Sequence, residues 1–205
     1  MITIVDYGMG NLGSIKNMFK YIGVESIIES DPDKIKNASK ILLPGVGSFD
    51  TAMQKINENG LKEVLNEKAL KEQVPVLGIC LGMQLLSDSS EEGVLGGLGW
   101  ISAKTLSFKG RIDTKYKVPH MGWNVVTKSN ESLLTASFET FEETRFYFVH
   151  SYFVQVDHQE HSILKTHYGL DFDSAIQSEN IYGAQFHPEK SHKFGMKLFE
   201  NFARI

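Results

Sequence analysis

Three side chains in this sequence have the types and settings that acyl-transfer chemistry requires: Cys80, His187 and Glu189. Cys80, the only cysteine, lies in the stretch Val74-Pro-Val-Leu-Gly-Ile-Cys-Leu-Gly-Met-Gln84. That stretch opens as a short apolar, β-branched run, which reads as a buried strand. It then turns through Gly78 to Gly82 and continues from Leu81 to Ser87 as a helix. Glycines two before and two after the cysteine suit a sharp strand-to-helix corner, because bulky side chains there would clash. The same arrangement with serine is the nucleophile elbow. A thiol at such a corner points away from the sheet at a helix N-terminus, whose partial positive charge favours thiolate. Taken alone, Cys80 is equally well a small buried hydrophobe, the commoner state of a lone cysteine.

A nucleophile needs a base within hydrogen-bond reach, and the base needs an orienting group. The chain offers seven histidines. His158 and His161 sit in the polar stretch Asp157 to Glu160, which reads as a solvated surface turn and not as a metal site. His192 stands at the start of the last helix. His120 and His150 lie in hydrophobic surroundings. His187 follows the apolar strand Ile181 to Phe186, is locked by Pro188, and has Glu189 two residues on. Side chains two apart on an extended backbone share a face, so Glu189 can hold one ring nitrogen while the other faces the thiol.

The elements that must position these residues follow from periodicity. Ile2 to Asp6, Val24 to Glu29, Lys40 to Leu43 and Val74 to Ile79 read as strands. They alternate with helices from about Asn11 to Tyr21, a short one capped by Asp31-Pro32, and the stripe Phe49, Met53, Ile56, Leu61, Val64, Leu65, Ala69 with a break at Asn59-Gly60. This predicts an α/β fold: an open, mostly parallel twisted sheet with helices on both faces. Beyond a loop at 91–99, Trp100 to Phe108, Trp123 to Val126, Phe146 to Val156, Ile163 to Tyr168, Ala175 to Gln177 and Ile181 to Phe186 read as strands at hairpin spacing, with a tight turn at Ser178 to Asn180. The C-terminal half therefore adds antiparallel strands, and a helix carrying Phe194, Leu198, Phe199 and Phe202 closes the chain.

The 205 residues suit a single domain over 1–205, with 41% hydrophobic residues enough for a full core. A net charge of -4 with scattered Lys and Arg gives no basic field for nucleic acid. The apolar runs are too short to span a bilayer and no secretory signal opens the chain, so a soluble cytoplasmic protein without membrane partners is expected. Gly8-Met-Gly10-Asn-Leu-Gly13 is a formal dinucleotide fingerprint, with Glu29 at the end of the next strand. Against it, the parallel alternation stops after about four strands and the chemistry-bearing residues lie elsewhere.

Gly78-Ile-Cys-Leu-Gly-Met-Gln84 together with His187-Pro-Glu-Lys-Ser191 resembles the class I (triad) glutamine amidotransferases. More narrowly, Asp6-Tyr-Gly-Met-Gly-Asn-Leu12, Pro44-Gly-Val-Gly47, Pro119-His-Met-Gly-Trp-Asn124 and Phe146-Tyr-Phe-Val-His-Ser-Tyr152 are similar to the glutaminase subunits of imidazole glycerol phosphate synthase. The likeness runs from the first strand to the last helix. It implies that Cys80 attacks the amide of L-glutamine, that His187 relays the proton and that Glu189 orients it. It implies an oxyanion hole from the backbone N–H of Leu81 and of Val46 or Gly47, the latter either preformed or reached by a peptide flip. Gly45, Gln84, His150, Ser151 and Tyr152 are the implied glutamine holders. No metal or cofactor is implied. The implied partner is a separate (β/α)8-barrel cyclase subunit that receives the ammonia, forming a heterodimer through Asn11, Met121, Trp123 and Lys190. The Gly-Trp-Asn setting of Trp123 reads as a loop.

Two other readings stay open at this level. Paralogous subunits supply ammonia to a barrel that builds an acetamidino sugar for surface polysaccharide, and the triad cannot separate them. A non-catalytic nucleotide-binding or regulatory module would share the fold, although an intact Cys80, His187 and Glu189 disfavours it.

Overall fold

Strand alternation sorts the core into two layers. The computed structural model describes residues 1–58 and 60–205. In it β1 (Ile2–Val5), β2 (Ser26–Glu29), β3 (Ile41–Leu43) and β4 (Val76–Ile79) all pair in parallel. Helices α1 (Leu12–Tyr21), α2 (Pro32–Ile35), α3 (Phe49–Asn57) and α4 (Leu61–Asn66) lie between them. Successive strand residues face opposite ways. Ile41, Leu43 and Val76 pack with Phe49, Met53, Ile56, Leu61 and Leu65 of α3 and α4. Leu42, Leu77 and Ile79 pack on the other face with Ile15 and Phe19 of α1. Helices therefore cover both faces of an open sheet, as the periodicity predicts. Asp31 caps α2 by accepting the Asp33 amide, with Pro32 in its first turn. Of the expected break at Asn59-Gly60, Gly60 precedes α4 at φ 73°, and Asn59 lies outside the described residues.

The second half rearranges the expected strands. Helix α5 (Leu81–Leu85) is followed by β5 (Ser89–Ser90), β6 (Ala103–Ser107), β7 (His120–Val125), β8 (Thr127–Lys128), β9 (Arg145–His150), β10 (Tyr152–Val156), β11 (Ser162–His167), β12 (Asp171–Ser178) and β13 (Ile181–Ala184). Helix α6 (His192–Arg204) ends the chain and buries Phe194, Leu198, Phe199 and Phe202 against the α1 side. The main sheet runs β2-β1-β3-β4-β13-β12-β10-β6-β5, with β11 and then β8 attached to β12. The hairpin β12–β13 closes through Ser178 to Asn180, as expected. β13 is then a fifth parallel strand, set beside β4 with Ala184 opposite Ile79.

Several sequence expectations need correction. Trp100 and Ile101 precede β6 and are not part of it; they are buried, and the Trp100 indole donates to Asn66 at 2.8 Å. The run Phe146 to Val156 is two strands. It breaks at Ser151, so that β9 pairs only with β7 in a separate two-stranded sheet while β10 joins the main one. β7 runs from His120 to Val125, so Trp123 lies on a strand, as the run Trp123 to Val126 predicts, and its Gly-Trp-Asn setting is not a loop. Helix α5 ends at Leu85 rather than Ser87. No helix among the described residues is long and apolar enough to cross a membrane.

The parallel register brings the C-terminal ends of β3, β4 and β13 together, with Leu43 opposite Gly78 and Gly78 opposite Gly183. Ligand sites in open α/β sheets form at these ends. Pro44–Gly47, Cys80 and His187 lie on the three segments that leave them. At the middle segment a Cβ on Gly78 would come within 2.6 Å of the Gly82 carbonyl, and one on Gly82 would overlap the Leu43 carbonyl. Gly82→Ala should therefore destabilise the protein by about 1–3 kcal/mol, the usual cost of forced overpacking. Gly13→Ala, exposed in α1 with open space around it, should instead stabilise by roughly 0.5 kcal/mol. Urea midpoints of the two variants check the contrast; equal midpoints would contradict it.

Candidate active site

Cys80 sits at the corner between β4 and α5 with φ 54° and ψ -109°. A residue other than glycine held there costs of order 1–3 kcal/mol, and the surroundings must over-determine it. They do. The Cys80 amide donates to the Ala184 carbonyl of β13 at 2.7 Å, and its carbonyl accepts from Met83 and Gln84. The side chain is nearly buried. Helix α5 has only five residues, so the charge that faces the sulfur comes mainly from a side chain.

That side chain is His187. Its amide donates to the Tyr147 carbonyl at 2.9 Å. Its carbonyl accepts from the Ser191 hydroxyl at 2.6 Å, which in turn accepts from the Tyr147 amide at 3.0 Å. The ring Nδ1 meets Glu189 Oε1 at 2.8 Å, both side chains being almost fully buried. The expected pairing is present, but by another route. Pro188–Lys190 is a 3-10 turn, and the turn, not an extended strand, swings Glu189 back to the ring. Nε2 is buried and has no hydrogen-bond partner among the described residues. Burial works against a charged ring, yet the Cys80 thiol and the Glu189 carboxylate outweigh it and raise the His187 pKa to about 10. His187 is thus an imidazolium at neutral pH, able to give up a proton.

A cleft of about 340 Å³ opens beside these groups, at the small end of the range for small-molecule sites. Val46, Gly47, Cys80, Leu81, Gln84, Glu92, Pro119, His150, Ser151, Tyr152 and His187 line it. Gly45 does not; it packs behind the wall, where a Cβ would meet the Tyr7 hydroxyl and Leu81. Tyr7, kept protonated by burial and by Cys80, donates to the Pro44 carbonyl at 2.5 Å and anchors that segment. From Gly45 to Gly47 no backbone hydrogen bond is made among the described residues, and Gly47 has φ 125°. Leu81 opens α5, where first-turn N–H groups have no intrahelical acceptor.

His150 and His120 form a neutral pair. His150 Nδ1 donates to the Tyr152 carbonyl at 2.7 Å, which leaves Nε2 to accept from His120 Nδ1 at 2.9 Å. The Asn124 amide closes the chain on His120 Nε2 at 3.2 Å. Burial depresses His120 to about 4. Burial, with smaller contributions from His120 and His187, depresses His150 to about 3. The residues expected at an interface lie outside the cleft. Trp123 is 43% exposed and Met121 63%. Trp123 stacks on His192 at 5.6 Å and meets Tyr147 edge-on, while Lys190 lies over the Tyr147 ring. Asn11 is exposed and accepts from the Ser14 amide at the start of α1. The Glu29 carboxylate accepts from the Ser30 and Asp31 amides, so it is engaged in its own turn rather than facing the Gly8–Gly13 segment.

Glu92, on the cleft wall, and Gln185, behind it, leave no signal in the sequence. Glu92 falls in a loop with no periodicity to flag it. Its Oε2 accepts from the Phe49 amide at 2.9 Å, and burial pushes its carboxyl pKa up. The loop is pinned by Asp50, which accepts from the Val94 and Leu95 amides. Gln185 is fully buried behind Cys80 and reads in sequence as one more strand residue.

The sequence matches the family model described as glutamine amidotransferase class-I over residues 3–205. It is 55% identical over 204 residues to "Imidazole glycerol phosphate synthase subunit HisH 2" of Methanococcus maripaludis, covering 100% of this chain and 99% of the relative. It is 46% identical to "Imidazole glycerol phosphate synthase subunit HisH" of Bdellovibrio bacteriovorus, covering both chains fully. A solved structure described as a glutamine amidotransferase superposes with TM-score 0.74 at 16% identity, covering 100% of both chains. One of PurLQS from Thermotoga maritima superposes with TM-score 0.73 at 18% identity, covering 99% of this chain and 97% of that one. These last two show the fold alone.

The proton inventory has a measurable consequence. His187 is raised from 6.5 to about 10, so its stabilisation is complete below about pH 6.5 and is lost as pH rises towards 10. His120 and His150 are depressed from 6.5, so their contribution is lost as pH falls below about 6.5. Imidazole ¹⁵N spectra should show His187 doubly protonated at pH 8 and His120 and His150 neutral at pH 5.5. Cys80→Ala should lower the His187 midpoint. A wild-type His187 titrating near 6.5 would refute the assignment.

Proposed function

The chain belongs to the class I glutamine amidotransferases, and from that membership we propose that it is the glutaminase subunit of an imidazole glycerol phosphate synthase. In this reading residues 1–205 form one amidotransferase domain that hydrolyses L-glutamine and passes ammonia to a (β/α)8-barrel cyclase subunit in cytoplasmic histidine biosynthesis. What supports it most directly is the buried His187–Glu189 pair, 2.8 Å apart, opening on the same cleft as Cys80.

The Cys80 thiolate attacks the side-chain amide carbon of glutamine. A C–S bond forms as the carbonyl electrons move onto oxygen, and backbone N–H groups of Leu81 and of Val46 or Gly47 receive that charge. Losing one such donor typically costs about 100- to 1000-fold in rate. The Val46–Gly47 peptide, whose backbone is unpaired among the described residues, is the one able to turn toward the cleft. As the pair on oxygen returns to carbon the C–N bond breaks, and His187 gives its proton to the departing nitrogen, which leaves as ammonia. His187 then takes a proton from the water that attacks the γ-glutamyl thioester. Breaking the C–S bond returns the electron pair to sulfur. Gln84 and the His150-Ser151-Tyr152 segment hold the substrate, with Gly45 shaping the wall from behind. The Glu92 carboxylate is the acidic group on the cleft wall that suits the α-ammonium, which would hold it ionised against the effect of burial.

Ammonia released to water would be lost, so the acceptor site belongs to the partner. The aromatic and cationic face formed by Met121, Trp123 and Lys190, with Asn11, is the docking surface in this reading. Cys80→Ala should cut glutamine-dependent product formation on the order of 10⁶-fold, the scale of a lost triad nucleophile, while ammonium salts still support the partner. Glutamine-driven turnover surviving the substitution would end the reading, and a complex that aminates a sugar but makes no imidazole glycerol phosphate would reassign the acceptor. Glu92→Gln keeps the acceptor for Phe49 but loses the charge. It should raise KM for glutamine about tenfold or more with a smaller change in kcat, as steady-state kinetics will show.

A further inference from the structure

Gln185 lies at the exit of β13, two residues before His187, with its side chain fully buried. Its amide reaches in two directions: Oε1 accepts from Gln84 Nε2 at 3.0 Å, and Nε2 lies 3.7 Å from Cys80 Sγ, within reach for a bond to the large sulfur atom. Which end faces which partner follows from chemistry. The Tyr152 carbonyl can only accept, and the Gln84 amide approaches it at 3.2 Å. Gln84 must therefore present its NH2 group there. The same NH2 group meets Gln185, which must present oxygen and is left with NH2 toward the sulfur. The backbone holds the residue in place as well, the Gln185 amide donating to the Ser174 carbonyl at 2.9 Å.

We propose that Gln185 is a further catalytic residue whose side-chain N–H donates to the Cys80 sulfur, with Gln84 and the Tyr152 carbonyl fixing its orientation. The proposal rests on Cys80 being the nucleophile. The donor stabilises the charged sulfur in the free enzyme. It weakens as the C–S bond takes up the electron pair, and it strengthens again when the thioester breaks and the pair returns to sulfur. Gln185 thus stabilises negative charge on the sulfur and assists it as a leaving group. It also ties the sulfur to Gln84, a residue of the cleft wall.

The test is the rate of Cys80 alkylation by iodoacetamide in the full chain between about pH 5 and about pH 10, followed by intact mass. Gln185→Met keeps the length of the side chain and removes the donor. Its alkylation midpoint should rise by about one unit, so that the rate on the acid limb falls roughly tenfold while the alkaline plateau is retained. Gln185→Glu, which can still accept from Gln84 but sets a carboxylate against the sulfur, should shift further in the same direction. A folded Gln185→Met protein with the wild-type profile overturns the proposal. Should neither variant fold, the wild-type chain decides: the Gln185 side-chain ¹⁵N–¹H resonances must move when Cys80 is alkylated, and unmoved resonances overturn the proposal. Wild-type Cys80 that resists iodoacetamide at every pH, or Cys80→Ala that keeps glutamine turnover, would instead bring down the nucleophile assignment itself.

Discussion

The structure depends on the approach of α5 to the end of β3, where Gly82 lies against the Leu43 carbonyl with no room for a side chain. That contact sets the first turn of α5 over the peptide that leads into Pro44–Gly47, so the nucleophile segment and the candidate oxyanion segment become neighbours. The chain can only reach this position by turning sharply at Cys80, whose φ of 54° is the backbone cost. The Cys80 amide bond to Ala184 holds the turn closed, and the same strand, β13, then delivers Gln185 and His187. One close contact thereby fixes the relative places of three chain segments that are far apart in sequence.

Burial alone does not decide the charge of a histidine here. His187 and His150 are both shut away from water, and burial pushes both toward the neutral ring. His187 has a carboxylate on one nitrogen and a thiol toward the other, and these outweigh the cost of desolvation. His150 has a carbonyl on one nitrogen and another neutral imidazole on the other; the carbonyl favours the charged ring, but burial outweighs it. The result is one imidazolium and one fixed neutral ring on the wall of a single cleft. A proton held where a leaving group departs, beside a neutral donor–acceptor chain, is the division of protonation states that amide cleavage needs.

Much of this was legible in the residues. Periodicity shows the four N-terminal parallel strands, and glycine spacing shows the corner at Cys80, because both are local in sequence. The His187–Glu189 contact was foreseen for a reason that did not hold, since a 3-10 turn makes it. Non-local choices left no trace. Nothing in Ile181–Ala184 says that it inserts beside β4 as a central parallel strand rather than ending an antiparallel meander. Nothing in Phe146 to Val156 marks Ser151 as the point where one apolar run changes sheets. Glu92 and Gln185 were invisible for a related reason: a loop acid and a strand amide acquire a role only from what the fold sets against them.

The change of sheets at Ser151 links the cleft to the surface. β10 stays in the main sheet and gives the Tyr152 carbonyl to Gln84 and His150. β9 leaves it to pair with β7, and its Tyr147 holds the His187 amide and the Ser191 hydroxyl through its own backbone. The ring of that same Tyr147 faces outward, with Trp123 against its edge and Lys190 above it. Trp123 and Lys190, the docking residues of the proposed complex, thus touch the ring of the residue whose backbone positions the base. The base and this surface patch are therefore joined through one residue, Tyr147, while the nucleophile is held by the Ala184 carbonyl and by the close approach of Gly82 to Leu43.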